Sequence, residues 1–382
     1  MSPGRGVSTA SGARAPWDRA LDAAHALRIR ILSSPRFQRW AARFPLTRFV
    51  ARRRARALFD LAAGFVYAQV LRACVDLEVL ETLAQGPRTP EDLGASVGLR
   101  GPAAARLLRA AASLGLVEAR RGGRFGIGIH GASYLGNPAV KAMVAHHALL
   151  YADLAEPTLL LRGDARPTAL EGFWRYEDTA SPHAQAYTEL MGRSLTLIAE
   201  DVLEAAPLGD VTSLLDVGGG EGVFVEALAE RMPGLSLGLF DLPPVAERAR
   251  ERLAARGLDR VAVTGGDLFH DALPGPVDAV SLVRVLHDHD DEAAAGVLRA
   301  AHDALRPGGR LLLAEPMAHA RHGSRVGGAY FEFYLLAMGQ GRPRTPEENR
   351  ALLAAAGFRR IRQISTRRPL FAELLVAERG PR

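Results

Sequence analysis

Residues 211–225, VTSLLDVGGGEGVFV, constrain this chain more than any other stretch. Leu214, Leu215 and Val217 form a short apolar run of the kind carried by a strand buried on both faces. Gly218, Gly219 and Gly220 end it, Gly222 follows, and Val223, Ala227 and Leu228 then recur with helical spacing. Strand, glycine turn and helix make the opening half of a doubly wound α/β unit, whose ligand lies outside the strand's carboxyl end. The glycines let backbone pass close to that ligand with no Cβ between.

The dinucleotide fingerprint requires its third glycine at position 223, where this chain has valine. The turn also carries Asp216 and Glu221, which a pyrophosphate at the helix N-terminus would meet unfavourably. A cationic or zwitterionic ligand tolerates both acids, and S-adenosylmethionine, a sulfonium with an ammonium and no phosphate, fits. An ordinary glycine turn in an α/β core is the competing reading. The next strand, Leu235 to Phe240, runs into Asp241, placed to accept ribose hydroxyls, with Leu242 beside it. A third strand, Val261 to Thr264, leads through two glycines to Asp267, placed to accept the adenine amino group, with Leu268 and Phe269 to pack on the ring. Each acid alone reads equally as a helix cap; the series Asp216, Asp241 and Asp267 points to one ligand.

The 382 residues suffice for two or three cores. A single cysteine, Cys74, excludes a disulfide framework and a cysteine zinc site and fits a reducing, cytoplasmic compartment. No apolar run reads as a membrane span, and the N-terminus lacks the apolar core of a secretory signal. The net charge of +6 is unevenly spread: residues 1–60 hold 13 arginines against Asp18, Asp22 and Asp60, so the rest of the chain is net acidic.

Residues 1–13 are small and read as disordered. Helical patterns follow over 17–32, after Ser34-Pro35, and through Arg52, Arg53, Arg54 and Arg56 into an apolar run from Leu58 to Leu71. Arginines interleaved with Trp and Phe over 14–60 describe either an interfacial surface for an anionic membrane or the solvated face of helices packed in a dimer. One helix is expected from Val75 to Gly86, then a capped helix from Thr89, a helix over 102–114, and a hairpin turning at Gly122-Gly123. That order spells a winged helix, so a nucleic-acid-binding regulator is a second hypothesis, though Arg106 and Arg109 are a meagre recognition surface. Over 139–205, Met143, His146, His147, Tyr151, Trp174, Tyr187 and Met191 read as pocket lining or as core. His146 and His147 are adjacent and point apart on a helix, so no metal site is expected.

Past the fourth strand (277–283) come Arg284 and His287-Asp288. A neutral imidazole at His287 is placed to take a proton from a substrate hydroxyl, with a pKa near working pH. Asp288 is expected to begin the next helix. Glu315, ending the strand from Arg310, is placed to orient the imidazole. The last strands, 361–365 and 370–377, read as an edge hairpin.

These motifs as a set, Asp216 to Gly222, Phe240-Asp-Leu-Pro243, Gly266-Asp-Leu-Phe269, Leu286-His-Asp288, Arg306-Pro-Gly-Gly309 and Glu315-Pro316, resemble the S-adenosylmethionine-dependent O-methyltransferases of the caffeate and acetylserotonin type over roughly residues 60–380. The resemblance implies an α/β fold: a Rossmann-like class I methyltransferase domain (206–382) that binds S-adenosylmethionine. It is preceded by a basic N-terminal helical segment (1–60), a mainly helical winged-helix dimerisation domain (61–135) and a helical substrate-lining linker (136–205). It implies a homodimer and no specific nucleic acid. It makes His287 the base, with Glu315 and Asp288 as its catalytic neighbours, and assigns Asp216, Gly218, Gly220, Asp241, Leu242, Asp267, Leu268 and Arg284 to the cofactor. A second acid that flanks the base in that family is replaced here by Pro343, within Arg342-Pro-Arg-Thr345. The segments 34–47, 51–60 and 146–154 further resemble the carotenoid O-methyltransferases of purple phototrophic bacteria. They imply an apolar hydroxycarotenoid as acceptor and a cytoplasmic enzyme, peripheral on the inner (photosynthetic) membrane if residues 14–60 face lipid. A phenolic or polyketide acceptor is the alternative.

Overall fold

Proline and its preceding caps divide the basic segment as the spacing predicts. In the computed structural model α1 spans Pro16–Leu32, and α2 spans Pro35–Arg43 with Ser34 Oγ accepting from the Phe37 amide. The long α3 runs over Arg48–Asp76. The structure describes residues 16–164, 166–174, 195–318, 324–368 and 372–380. The stretch read as disordered, the Trp174 side chain, Tyr187, Met191 and Leu370 therefore lie outside the described residues.

Two expectations change in this region. The helix expected to run unbroken from Val75 is broken: α3 ends at Asp76, Glu78 takes a φ of 51°, and α4 (Val79–Ala84) restarts. The break gathers Val79, Leu80 and Leu83 into one core with Cys74 and Val75. The expectation of no membrane-length apolar run also fails, because α3 contains an 18-residue window of mean hydropathy 1.5, of which 11% is buried.

The winged helix forms as read. In α5 (Pro90–Val97) Thr89 Oγ1 accepts from the Asp92 amide at 3.1 Å; α6 spans Gly101–Ser113. Strands β1 (Val117–Ala119) and β2 (Phe125–Ile127) pair antiparallel, with Gly122 at φ 73° in the turn. Then come α7 (Ile129–Leu135), α8 (Pro138–Asp153), α9 (Pro157–Arg162) and α10 (Ala169–Trp174).

After a helix whose described part is 195–205 (α11), the chain alternates strand and helix: β3 (Ser213–Val217), α12 (Val223–Arg231), β4 (Ser236–Asp241), α13 (Pro243–Ala255), β5 (Ala262–Gly265) and β6 (Val277–Val283). It continues with α14 (Asp291–Ala304), β7 (Leu305–Glu315), α15 (Ser324–Met338), α16 (Pro346–Ala355), β8 (Phe358–Ile364) and β9 (Glu373–Arg379). The sheet order is β5-β4-β3-β6-β7-β9-β8, with the first five strands parallel and β9 antiparallel to both its neighbours, β7 and β8. Consecutive strands diverge at β3, leaving β4 on one side and β6 on the other, and this switch point opens a crevice at the strands' carboxyl ends. One apolar core lies on each face of the sheet, and α8, α9 and α10 share a third cluster with α15.

Leu239 joins this core to the crevice. It is fully buried, and a Cβ on Gly219 would stand 2.9 Å from its Cγ, so the glycine turn rests on it. Leu239→Ala is expected to lower the unfolding free energy by about 2–5 kcal/mol in urea titrations.

Candidate active site

A cleft of about 340 Å³ sits at the switch point, and Asp216, Gly218, Gly220, Asp241, Leu242, Asp267, Leu268, Arg284 and Asp288 all line it. Every residue assigned to a cofactor from the sequence therefore borders one space. His287 and Glu315 are buried and do not themselves line it, but His287 contacts Asp288, which does.

The glycine turn is wound tightly, with Gly218 at φ 68° and Gly220 at φ 56°. At Gly218 a Cβ would also fall 2.7 Å from a Val285 methyl, so only glycine closes the loop. The Asp241 carboxylate braces it, accepting from the Gly220 amide at 2.7 Å and the Leu242 amide at 2.7 Å. Burial nevertheless raises the Asp241 pKa. Asp267 lies in the loop after β5, where its carboxylate accepts from the Phe269 amide and contacts His270, each holding its pKa down.

Asp216 is the most buried of the three acids. Its Oδ1 accepts from Ser281 Oγ at 2.6 Å, while Oδ2 has no protein partner. Burial pushes its pKa up to about 7. Arg284, at a φ of 59°, leaves its Nε buried and without a partner, and its guanidinium lies 5.7 Å from the Phe331 ring centroid. An unpaired carboxylate oxygen in a wall of acids fits a cationic ammonium or sulfonium better than a phosphate.

His287 is held by its Nδ1, 2.6 Å from Glu315 Oε2. The other Glu315 oxygen accepts from the amides of Val285 and Leu286 at 2.9 and 2.7 Å. A carboxylate at Nδ1 fixes the proton there and leaves Nε2 as the basic nitrogen. Nε2 faces Asp288 Oδ1 at 3.2 Å. Burial works to lower the His287 pKa, but the charges of Asp288 and Glu315 outweigh it, and the net shift is upward. Asp288 does not begin the next helix: it closes a short turn over Leu286–Asp288, and Asp290 caps α14 by accepting from the Ala293 amide at 2.9 Å.

The loop where Pro343 replaces the expected second acid holds the turn by other means. The buried Arg344 donates to the Leu286 carbonyl at 2.6 Å, to the His289 carbonyl at 2.7 Å and to Asp291 at 2.9 Å. The Arg342 amide donates to the His287 carbonyl at 2.9 Å. Sequence reasoning missed Arg344, Asp291 and Ser281; a lone arginine beside a proline gives no local signal that it reaches a turn over fifty residues away. From the other side Phe331 packs edge-on to His287, at 6.0 Å between centroids. His146 and His147 bond the hydroxyls of Tyr334 and Tyr330 at 2.8 and 2.9 Å, tying α8 to α15. Burial lowers both imidazole pKa values, that of His146 to about 4. No metal-ligating group occurs among the described residues.

The raised Asp216 pKa gives a pH signature. Its native form holds a proton that the unfolded chain releases above the ordinary carboxylate range, so its contribution to stability falls as pH rises from about 4 towards 7. Asp216→Asn should remove this loss, so the variant gains stability over the parent as pH rises through that window in chemical unfolding.

Comparison with known proteins agrees with this architecture. Residues 151–359 match the O-methyltransferase domain family model, and residues 59–137 match the O-methyltransferase dimerisation domain. The demethylspheroidene O-methyltransferase of Cereibacter sphaeroides is 42% identical over 359 residues, covering 92% of this chain and 94% of its own. That of Rhodobacter capsulatus is 40% identical over 358 residues, covering 92% of this chain and 89% of its own. The crystal structure of human N-acetylserotonin methyltransferase in complex with S-adenosylmethionine superposes with a TM-score of 0.72 at 26% identity, over 86% of this chain and 98% of the other. From its sequence, sheet topology and cleft, this chain belongs to the O-methyltransferase family.

Proposed function

We propose that the enzyme transfers a methyl group from S-adenosylmethionine to the tertiary 1-hydroxyl of an acyclic hydroxycarotenoid, of the demethylspheroidene or hydroxyneurosporene kind. The observation that carries the reaction type is the His287–Glu315 pair, buried beside a cleft whose walls are Asp216, Asp241 and Asp267. The acceptor rests on the similarity to the two demethylspheroidene enzymes, which extends over 92% of the chain.

When bound, S-adenosylmethionine supplies a methyl group made electrophilic by a sulfonium. Asp241 and Leu242 are placed for its ribose, Asp267 and Leu268 for its adenine, and the Gly218–Gly220 turn with Asp216 for its charged end. His287 Nε2 then takes the hydroxyl proton of the acceptor, while Glu315 keeps Nδ1 protonated and the ring fixed. A tertiary alcohol is a far weaker acid than a phenol, so proton removal must accompany attack. Much of the acceleration then comes from alignment, for which effective molarities supply roughly 7–11 kcal/mol. Asp288 sets the base's protonation: its carboxylate beside Nε2 favours imidazolium, so the neutral base appears only above the ordinary histidine range.

We further infer a homodimer and peripheral attachment to the cytoplasmic face of the inner membrane. The exposed Phe59, Leu61, Phe65 and Val66 of α3 lie at the start of the dimerisation match, where a second copy would cover them. The arginines of residues 14–60 support an anionic membrane as the second partner. Sequence-selective DNA binding has no part in this reading, since α6 offers only Arg106 and Arg109.

A methyl-transfer assay on hydroxylated carotenoids, with a phenolic acceptor as control, tests the assignment. The carotenoid should be methylated, and methylation of the phenol alone would overturn the acceptor. His287→Ala should cost on the order of 10²–10⁴-fold in turnover with cofactor binding retained. The acid limb of kcat/KM should lie above pH 6.5 and move down in Asp288→Asn. By calorimetry, Asp241→Ala and Asp267→Ala should each weaken S-adenosylmethionine binding by about 1–3 kcal/mol.

A further inference from the structure

Between Ala23 and Phe59 the chain carries ten arginines and no acid. None of the ten pairs with a carboxylate among the described residues, although arginines elsewhere, such as Arg310 and Arg344, do. This stretch includes α2, its connection to α3 and the first two to three turns of α3, all ahead of the dimerisation match that begins at residue 59.

The hairpin is a stiff knob with an apolar end. Its connection is closed by Thr47 Oγ1 donating to the Ala41 carbonyl at 2.8 Å, and by the Arg48 amide donating to the Phe44 carbonyl at 2.8 Å. In α2 only Ala41 is buried. Trp40 and Phe44 stack at 5.1 Å and 13°, yet remain 51% and 39% exposed, and Leu46 at the tip is 82% exposed. Phe49 and Val50 continue the apolar surface into α3. Arg36, Arg39 and Arg43 share one concave surface with Trp40, Phe44 and Pro45.

An apolar tip collared by guanidinium groups that have no carboxylate partner is complementary to the boundary of an anionic bilayer. Aromatic and aliphatic side chains enter the headgroup–acyl region while arginines bind lipid phosphates above it. A second copy is a poorer occupant, because an isologous contact would bring arginine against arginine. Nucleic acid would satisfy the arginines and leave Leu46 and Phe44 in water.

We propose that the α2–α3 hairpin tip, Trp40, Phe44 and Leu46, inserts at the interface of an anionic phospholipid bilayer, with Arg36, Arg39 and Arg43 holding lipid phosphates. The proposal rests on the membrane reading above and adds to it the inserting element and the lipid chemistry.

The test uses the full-length protein and vesicles of phosphatidylcholine with or without about one third phosphatidylglycerol. A form with Trp17→Phe and Trp174→Phe keeps Trp40 as its sole reporter. The parent should co-sediment with anionic vesicles, at least about tenfold more weakly with neutral ones and with added salt, and Trp40 emission should shift to the blue. Phe44→Asp with Leu46→Asp, and Arg36→Glu with Arg39→Glu and Arg43→Glu, should each abolish binding while S-adenosylmethionine binding and the sedimentation coefficient stay unchanged. Arg121→Glu with Arg124→Glu, on the exposed wing, should bind vesicles as the parent does. Unchanged binding in the hairpin variants would overturn the tip while leaving membrane attachment standing. No binding by the parent would remove both. A hairpin variant that turns monomeric would give the surface to a second copy, and tighter binding to duplex DNA than to vesicles at physiological salt would give it to nucleic acid.

Discussion

The site depends on one buried carboxylate. Glu315 accepts from two backbone amides and from the His287 ring, so a charge that would be costly in an apolar interior is satisfied on both oxygens. The same contacts fix the path of the chain from Arg284 to His287 and the tautomer of the imidazole. Glu315 is itself the last residue of β7, whose pairing with β6 and β9 leaves it no freedom to move. Sheet register thus becomes ring orientation within one side chain.

Around this anchor the protein uses backbone-directed arginine where a second carboxylate is expected. Arg344 and Arg342 grip the carbonyls and the helix start that surround His287, and Gly341 packs so closely on the His287 carbonyl that a Cβ there would clash. The base is therefore clamped by its main chain, and the negative charge near its ring comes from Glu315 and Asp288 alone among the described residues. That arrangement places the proton at Nδ1 and raises the affinity of Nε2 for another.

Much of this was legible in the residues. The glycine run and the three acids at or just past successive strand ends predicted the cleft because, in a parallel sheet, the carboxyl ends of the strands and the loops after them border one crevice. Helix starts at Ser34, Thr89 and Thr345 follow local chemistry, the last closed by a capping box with Glu348. What failed to show was non-local. The left-handed Glu78 that breaks α3 from α4 has no glycine to announce it, and the apolar half of α3 reads like any core helix until its exposure is seen. Nothing near Arg344 in the sequence points to carbonyls more than fifty residues away, and Asp288 reads as a helix start because the true cap, Asp290, lies only two residues on.

Glu315 fixes the His287 tautomer so that Nε2 is the base. Nitrogen-15 NMR of the labelled imidazole across pH, in the parent and in Glu315→Gln, measures this directly. In the parent Nδ1 should stay protonated throughout while Nε2 titrates above the ordinary histidine range, and the variant should show a lower pKa. A neutral parent ring carrying its proton on Nε2 would contradict it.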